Sequence, residues 1–413
     1  MTLNPEEFKR RREQRQQQRQ KKQRSAIVRL VICVAVLILC AVLIVSIIAG
    51  SKSPSSAQTA PSNETEQTQP SQTVIHLAAA GDLNITEAVV ASGSGNYDYT
   101  NTFLDVAHLL ADADITALNF EGCLYGAPYG TDRSAPQSLP EALAKAGVDL
   151  VQLANSYSIY KGMDGLADTI SGIRLAGMEP VGVYPDAAQA KAGKGYIICN
   201  VRGVKIAFVA FTKGMDGMAL PPGNEGCVNV LYKDYSTDYQ EVDTEGISKI
   251  LDAAAKEKPD LTVALLHWGS EFNNNISQSQ EKICQLMQEK GVDAIIGTHS
   301  HYIQKMTFDP EAGTFVAYSL GDFLGDAQRA GSEYSVILDL EITKDSDTGE
   351  TKITDFSYTP IFTVAEEGKP LRTVRIHQAM QAFENGYIDG ISQQTYDAMK
   401  YALERIDARI NQK

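Results

Sequence analysis

Seven short apolar runs that end in polar or glycine-flanked residues constrain the fold of this chain most strongly. They are VIHLAAAGD from residue 74, ITALNFEG, VDLVQLANS, GVKIAFVAFT, LTVALLHWG, VDAIIGTHSH and TFVAYSLGD. Runs of this length, alternating with helix-like stretches such as residues 102–113 and 277–290, are typical of buried strands connected by helices. We therefore predict a layered α/β domain over residues 74–365.

The end of the chain has a different pattern. Residues 334–362 alternate apolar and polar side chains as exposed antiparallel strands do, which predicts an edge of the sheet. Residues 366–413 are predicted to form a mainly helical tail, because Ile376, Met380 and Phe383 recur at helical spacing. No GxxxxGK[ST] phosphate-binding loop occurs in the chain.

The first 73 residues divide into three segments. Residues 1–29 carry ten Lys or Arg, and residues 30–49 form an uncharged apolar run long enough to cross a hydrocarbon core of about 30 Å. The alternative is a cleaved signal peptide, but the apolar region of a signal peptide is shorter than this run. We predict a single transmembrane helix at the cell membrane, with residues 1–29 cytoplasmic and the domain outside. Residues 50–73, rich in Ser, Thr, Pro and Gln, are predicted to form a disordered linker.

The charge of the chain limits its partners. The formal charge is −14 for the chain and +7 for residues 1–29, which leaves −21 for residues 30–413. Nucleic-acid binding needs a basic footprint, so we expect no nucleic-acid partner. The same charge repels any polyanion unless a local patch or a bound cation intervenes.

The four cysteines beyond the apolar run leave two alternatives open. An oxidising compartment permits two disulfides, with three possible pairings. Unpaired buried thiols agree equally well with the wide spacing. These cysteines are Cys123, Cys199, Cys227 and Cys284.

Residues that can bind metal ions cluster at the ends of the predicted strands. Three of the six histidines, His267, His299 and His301, occur there together with Asp82 and Glu121. Ligands of open α/β sheets bind at the carboxyl ends of strands, so these side chains are expected to converge. One such Asp is more often a helix cap, but five residues in order favour a metal site. Mixed carboxylate and imidazole ligands suit divalent metals, and two such ions can activate water for hydrolysis.

The ordered motifs GDLN, NFEG, LANS, HWGSEF, GTHSHYIQ and YSLGDF, within residues 75–362, resemble those of the CapA family of poly-γ-glutamate capsule biosynthesis proteins. The resemblance implies the four-layer α/β/β/α sandwich of calcineurin-like metallophosphoesterases and divalent metal ions, either Mn, Zn, Fe or Mg. The metal ligands that it implies are Asp82, Glu121, Asn155, His267, His299 and His301. Secondary candidates are Asn84, Asn119, Ser156, Glu271 and Asp322.

The third motif departs from the family pattern. Members typically have Asn-Asn-His where this chain has Asn155, Ser156 and Tyr157, and Asp322 replaces an Asn of the last motif. Tyrosine is a weaker acid than imidazolium at neutral pH. One interpretation is a diverged enzyme with Tyr157 as proton donor and His267 as the second catalytic residue. The other is a degenerate site on a domain that binds polymer or partner proteins without turnover.

The resemblance and the predicted topology together imply a function at the cell surface. We expect a membrane-anchored extracytoplasmic protein that takes part in synthesis, export or attachment of an anionic capsule polymer, poly-γ-glutamate. Its expected partners are the polymer or its precursors and membrane-bound capsule synthesis subunits. The alternatives are a non-catalytic scaffold and a phosphoesterase that acts on cell-envelope phosphoesters.

Overall fold

A computed structural model describes residues 72–327, 329–387 and 390–412 of the protein. The predicted basic segment and transmembrane helix, and all but the last two residues of the predicted linker, lie outside the described residues. Within these ranges, no helix combines the length and the apolar character that a membrane span requires.

Two β-sheets form the centre of the described chain. The strands are β1 (Gln72–Asn84), β2 (Ile115–Glu121), β3 (Leu150–Gln152), β4 (Glu179–Val181), β5 (Tyr196–Val201), β6 (Val204–Thr212), β7 (Leu261–His267), β8 (Ala294–Thr298), β9 (Met306–Asp309), β10 (Thr314–Ala317), β11 (Asp322–Leu324), β12 (Tyr334–Asp345), β13 (Thr351–Val364) and β14 (Arg372–Arg375). The first sheet has the order β14-β13-β12-β1-β2-β3-β4, and β11 also pairs with β1. The second sheet has the order β5-β6-β7-β8-β10-β9.

The two sheets share one apolar core. Alternate side chains of a strand point to opposite faces, and β6 shows this clearly. Ile206, Phe208 and Ala210 lie in a cluster with side chains from the first sheet, whereas Ala207 and Val209 lie in a separate cluster with helical side chains. One face of each sheet therefore packs against the other sheet, and the opposite face packs against helices.

Helices pack against both sheets. They are α1 (Glu87–Ala91), α2 (Ser94–Tyr97), α3 (Thr100–Phe103), α4 (Ala107–Asp112), α5 (Ser138–Ala146), α6 (Gly162–Leu175), α7 (Ala187–Gly193), α8 (Thr244–Ala255), α9 (Gln278–Glu289), α10 (Ile376–Glu384) and α11 (Gln393–Ile410). Buried side chains of α4, α5 and α6 join the core outside the first sheet, and those of α8 and α9 join the core outside the second. The predicted α/β class is confirmed, with helix, sheet, sheet and helix in succession.

Local sequence explains where α9 begins. The Ser277 hydroxyl accepts a hydrogen bond from the Gln280 N–H, and the Gln280 side chain accepts one from the Ser277 N–H, which is a capping box. Ile283 and Met287, four residues apart, are buried on one face. The helix predicted over residues 277–290 is confirmed. The one predicted over residues 102–113 is wrong as a continuous helix, because α3 and α4 are separate.

The antiparallel hairpin predicted over residues 334–362 is present as β12 and β13, but it does not form the edge of the sheet. Because β12 pairs with β1 and β13 pairs with β14, the hairpin lies inside the sheet and β14 forms the edge. The segment Arg372–Arg375 is a strand because it pairs with β13, and helices α10 and α11 follow it. Side chains of both helices join the core between the sheets.

The four described cysteines are all buried, and Cys123, Cys227 and Cys284 are free thiols. For these three, the alternative of unpaired buried thiols is the one that the structure contains.

Candidate metal centre

The carboxyl ends of the parallel strands bring the predicted residues together. In the first sheet, Asp82 on β1 lies in register with Asn119 on β2 and with Asp322 on β11. In the second sheet, His267 ends β7, and His299 directly follows β8. A direct contact joins the two sheets here, because the His299 N–H donates to Asp82 Oδ2 at 2.9 Å. The convergence expected at the strand ends is therefore present.

Glu121, His267 and His299 form the first of two ligand groups. Their ligand atoms all lie within 4.8 Å of one another, and Glu121 Oε1 lies 3.1 Å from His267 Nε2. Glu121 Oε2 and His299 Nδ1 are buried without a hydrogen-bond partner in the described structure. Such atoms are costly to bury unless something binds them. Both atom types coordinate divalent metals, so a cation fits this group.

Asp82, His301 and Asp322 form the second group, again with all ligand atoms within 4.8 Å of one another. His301 Nδ1 lies 2.7 Å from Asp322 Oδ1. His299 and His301 have φ angles of 87° and 57°. Non-glycine residues rarely adopt such angles, and the strain clusters at functional sites. The turn after β8 therefore directs one imidazole to each group.

Burial makes the two acidic side chains unusually weak acids. Burial, together with the charge of Glu121, raises the pKa of Asp82 to about 7. Burial also raises the pKa of Glu121 to about 7. Charged carboxylates in such an environment need a compensating cation, because desolvation disfavours the charged form. A divalent ion bound here would provide that compensation.

The three imidazoles differ in protonation. Burial lowers the pKa of His267 to about 3 and that of His299 well below its ordinary value, so both rings are neutral at pH 7. Neutral imidazole is the form that coordinates metals. Burial disfavours the imidazolium of His301 as well, but the carboxylates of Asp322, Glu121 and Asp82 together outweigh burial and raise the pKa of His301 well above the ordinary value. His301 must therefore release a proton before its ring can act as a ligand.

Two amides position Asp82. Asn119 Nδ2 donates to Asp82 Oδ1 at 2.5 Å, and Asn155 Nδ2 donates to Asn119 Oδ1 at 3.0 Å. Asn155 Nδ2 also donates to the Phe120 carbonyl at 2.7 Å, while its Oδ1 accepts from the Tyr157 N–H at 3.0 Å. Both ends of the Asn155 amide thus have partners within the protein. In this arrangement Asn155, predicted as a ligand, orients Asn119 and through it Asp82.

The remaining predicted residues surround the two groups. Ser156 Oγ lies 3.0 Å from His267 Nε2, the nitrogen that also faces Glu121. Asn84 Oδ1 accepts a hydrogen bond from Arg133 and belongs to neither group. Glu271 is exposed and likewise lies outside both groups.

Tyr157, the predicted proton donor, is half-buried beneath the guanidinium of Arg133, whose Cζ lies 4.4 Å from the ring centroid. Burial and the charge of Glu121 raise the pKa of Tyr157 to about 12. The phenol therefore keeps its proton at neutral pH and is a weak acid.

Three further residues contact the site. Thr298 Oγ1 lies 3.2 Å from His267 Nδ1, and the Lys213 N–H donates to the His267 carbonyl at 2.7 Å. Arg133 comes from the loop after β2. Thr298 belongs to the motif GTHSHYIQ and could therefore have been found from the sequence, whereas no motif includes Lys213 or Arg133.

A comparison with protein families assigns the chain. Residues 76–327 match the model of the family described as bacterial capsule synthesis protein PGA_cap. The chain belongs to the PGA_cap family. The matched range contains both ligand groups, from Asp82 to Asp322, so the PGA_cap region and the candidate metal centre coincide.

Two Bacillus proteins are similar to this PGA_cap chain. The capsule biosynthesis protein CapA of Bacillus anthracis is 29% identical over 239 residues, which are 56% of this chain and 55% of that protein. The PGA biosynthesis protein CapA of Bacillus subtilis (strain 168) is 28% identical over 205 residues, 49% of this chain and 48% of that protein. The chain thus spans about half the length of the curated relatives it matches.

A solved structure of a calcineurin-like phosphoesterase from Bacillus subtilis is also similar. It has a TM-score of 0.43 and 17% sequence identity, and the match covers 81% of this chain and 98% of that chain.

Proposed function

We propose that this PGA_cap protein acts on an anionic capsule polymer, poly-γ-glutamate, at a centre of two divalent metal ions. One observation carries the proposal: two groups of metal-binding side chains lie in one buried cluster at the carboxyl ends of the strands. The names of the Bacillus relatives, which refer to capsule and PGA biosynthesis, support the choice of polymer. The groups are Glu121, His267 and His299, and Asp82, His301 and Asp322.

The donor set fits Mn, Zn or Fe better than Mg, because each group combines imidazole with carboxylate. When bound, two such ions supply Lewis-acid activation of water and of the bond to be cleaved. The rings of His267 and His299 are neutral at pH 7, the form that coordinates metals, and His299 Nδ1 has no hydrogen-bond partner in the described structure. Asn119 and Asn155 fix the carboxylate of Asp82 toward the other.

In this proposal, the phenol of Tyr157 donates a proton to the leaving group of the bond that is cleaved. Its phenol stays protonated at neutral pH and lies at the strand-end loop that carries Ser156, beside His267. A phenol with a pKa of about 12 transfers a proton less readily than an imidazolium does. We therefore expect slow turnover compared with members that have histidine at this position.

The cellular location is part of the proposal and depends on the sequence. The apolar run over residues 30–49 and the basic residues before it support a single membrane anchor, with the domain outside the cytoplasm. There the domain would meet the polymer as membrane-bound capsule synthesis subunits export it.

A second candidate function is polymer binding without turnover. The substitution of Ser156 and Tyr157 for the usual Asn and His favours it, because the weak acidity of the phenol disfavours catalysis but leaves the metal ligands intact. Binding and catalysis therefore need separate measurements.

The test uses the full chain in detergent. Metal is removed with a chelator and then Mn, Zn, Fe or Mg is restored before incubation with a γ-linked oligoglutamate, with products identified by mass spectrometry. We expect metal-dependent cleavage that Glu121→Gln abolishes and that Glu289→Gln, a change on the exposed surface of α9, leaves unaltered.

Other results would select the alternatives. Metal-dependent binding without cleavage supports the scaffold, and cleavage of an aryl phosphodiester but not of the oligoglutamate supports a phosphoesterase. If the protein neither binds nor cleaves any of these compounds, the proposed function is rejected.

A further inference from the structure

Three cationic side chains around the metal centre lie over aromatic rings. None of them forms an ion pair with a carboxylate in the part of the chain that the structure describes. Such stacking holds a cation in place while its charge remains available. The pairs are Arg133 over Tyr157, 4.4 Å from the ring centroid, Lys213 over Tyr239 at 4.5 Å, and Arg329 over Phe272 at 4.4 Å.

Each cation is connected to the ligand groups through a short path. Arg133 lies over the ring of Tyr157. The neighbouring Ser156 hydroxyl lies 3.0 Å from His267 Nε2. Lys213 donates its backbone N–H to the His267 carbonyl. Phe272, the ring beneath Arg329, stacks on the imidazole of His301, with the ring centroids 5.0 Å apart. Three separate segments, after β2, after β6 and after β11, thus bring positive charge to one site.

Arg133 and Lys213 retain hydrogen-bond donors. Arg133 uses Nη1 for Asn84 Oδ1 and for the Ile85 carbonyl, and Lys213 Nζ donates to the Gly269 carbonyl at 2.8 Å. A guanidinium carries five N–H groups and an ammonium three, so donors remain on both. Both side chains are half-buried and Arg329 is exposed, which leaves them accessible from solvent.

We propose that Arg133, Lys213 and Arg329 form an oxyanion-binding rim that holds successive carboxylates of the substrate beside the metal centre. The inference rests on the proposed function, since it takes the same site as the place of reaction. Residues 30–413 carry a charge of −21, so a polyanion can approach only where positive charge is concentrated locally. Three cations on separate segments suit a chain with repeated carboxylates better than a single phosphoester group.

The experiment measures binding and metal content in the same samples. Fluorescence anisotropy of a labelled γ-linked decaglutamate is followed with the full-length, metal-loaded protein, and inorganic phosphate serves as competitor. Arg133→Gln, Lys213→Gln and Arg329→Gln are each expected to weaken binding about tenfold, as for loss of one charge-assisted hydrogen bond, without loss of metal. Arg133→Lys should restore part of the affinity, which separates charge from a folding defect.

Two matched controls test whether any cation has the same effect. Arg405 also lies over a ring, that of Tyr401, but it is on the exposed face of helix α11. Lys290 pairs with Asp252 on the surface of the second helical layer. Arg405→Gln and Lys290→Gln should bind the decaglutamate as the wild type does.

The outcomes are distinguishable. The inference is overturned if the three rim variants bind the decaglutamate like the wild type, or if the wild type binds phosphate but not the decaglutamate. It is also overturned if the two controls weaken binding equally. Decaglutamate binding that depends on the rim in a protein without bound metal would support the rim while rejecting the proposed metal-dependent function.

Discussion

Asp82 and Asp322 lie opposite each other in register on two parallel strands, β1 and β11, although 240 positions separate them in the chain. Their carboxylates belong to one ligand group, with His301 as the third member. Family members typically have Asn at the position of Asp322, so this chain has an additional carboxylate beside the imidazole of His301. We infer that Asp322 strengthens the second ligand group in a chain whose third motif has diverged.

Replacing Asp322 tests this role. Asp322→Asn should lower the affinity for one of the two metal ions about 10- to 100-fold, because an anionic oxygen is lost beside His301. A chelator-competition titration measures the two affinities, with Asp355→Asn on the exposed face of β13 as the control. Unchanged affinity of both ions would show that Asp322 only neutralises His301.

Metal binding should displace protons in a pH-dependent manner. Asp82 and Glu121, whose pKa values are raised to about 7, are largely protonated at pH 6 and largely ionised at pH 8. Because metals bind the ionised forms, affinity should increase as the pH rises through 7, and more protons should be released at pH 6 than at pH 8. Calorimetric titration in two buffers of different ionisation enthalpy measures the release. Glu121→Gln should release one proton fewer at pH 6, and equal release at both pH values would contradict the account.

Close backbone packing supports the position of Asp82. A side chain at Gly81 would overlap the Gly321 carbonyl oxygen, which accepts a hydrogen bond from the Asp82 N–H at 3.0 Å. Gly81→Ala should therefore separate β1 from β11 and lower the free energy of unfolding by about 3 kcal/mol. Denaturant unfolding measures this change. Gly226→Ala, where the nearest atom is Ala190 Cβ at 3.6 Å, should have little effect.

The alternation of apolar runs with helical stretches was sufficient to predict the α/β class, because burial on both faces of a parallel strand leaves a continuous apolar run. The clusters at Asp82, Glu121, His267, His299 and His301 were also predictable, since carboxyl ends of parallel strands meet at one edge. These residues lie within two ligand groups in the structure.

Other features depend on tertiary contacts that a sequence pattern does not contain. Arg133 and Lys213 occur in loops, where no periodicity indicates which way a side chain points. Both ends of the Asn155 amide form hydrogen bonds, to Asn119, Phe120 and Tyr157. These bonds follow from packing between two strands. The position of β14 at the sheet edge was missed because a four-residue strand before a helix has too short a pattern.

Replacing Tyr157 distinguishes a slow enzyme from a binding protein. Tyr157→His introduces an acid with a pKa much closer to neutral, and we expect metal-dependent cleavage of the γ-linked oligoglutamate to increase about 10- to 100-fold. Tyr157→Phe, which lacks the phenolic proton, should abolish cleavage but retain bound metal. Mass spectrometry of the products over time provides the rates. If all three proteins bind the oligomer without cleaving it, Tyr157 has no role as a proton donor.

The most direct test of the metal centre is elemental analysis of the purified full-length protein beside the double variant His299→Ala, His301→Ala. These two residues supply one imidazole to each ligand group. We predict close to two divalent ions per chain in the wild type and a loss of both in the variant, with Lys290→Gln like the wild type. A wild-type protein that binds no divalent metal, even after supplementation, would contradict the account.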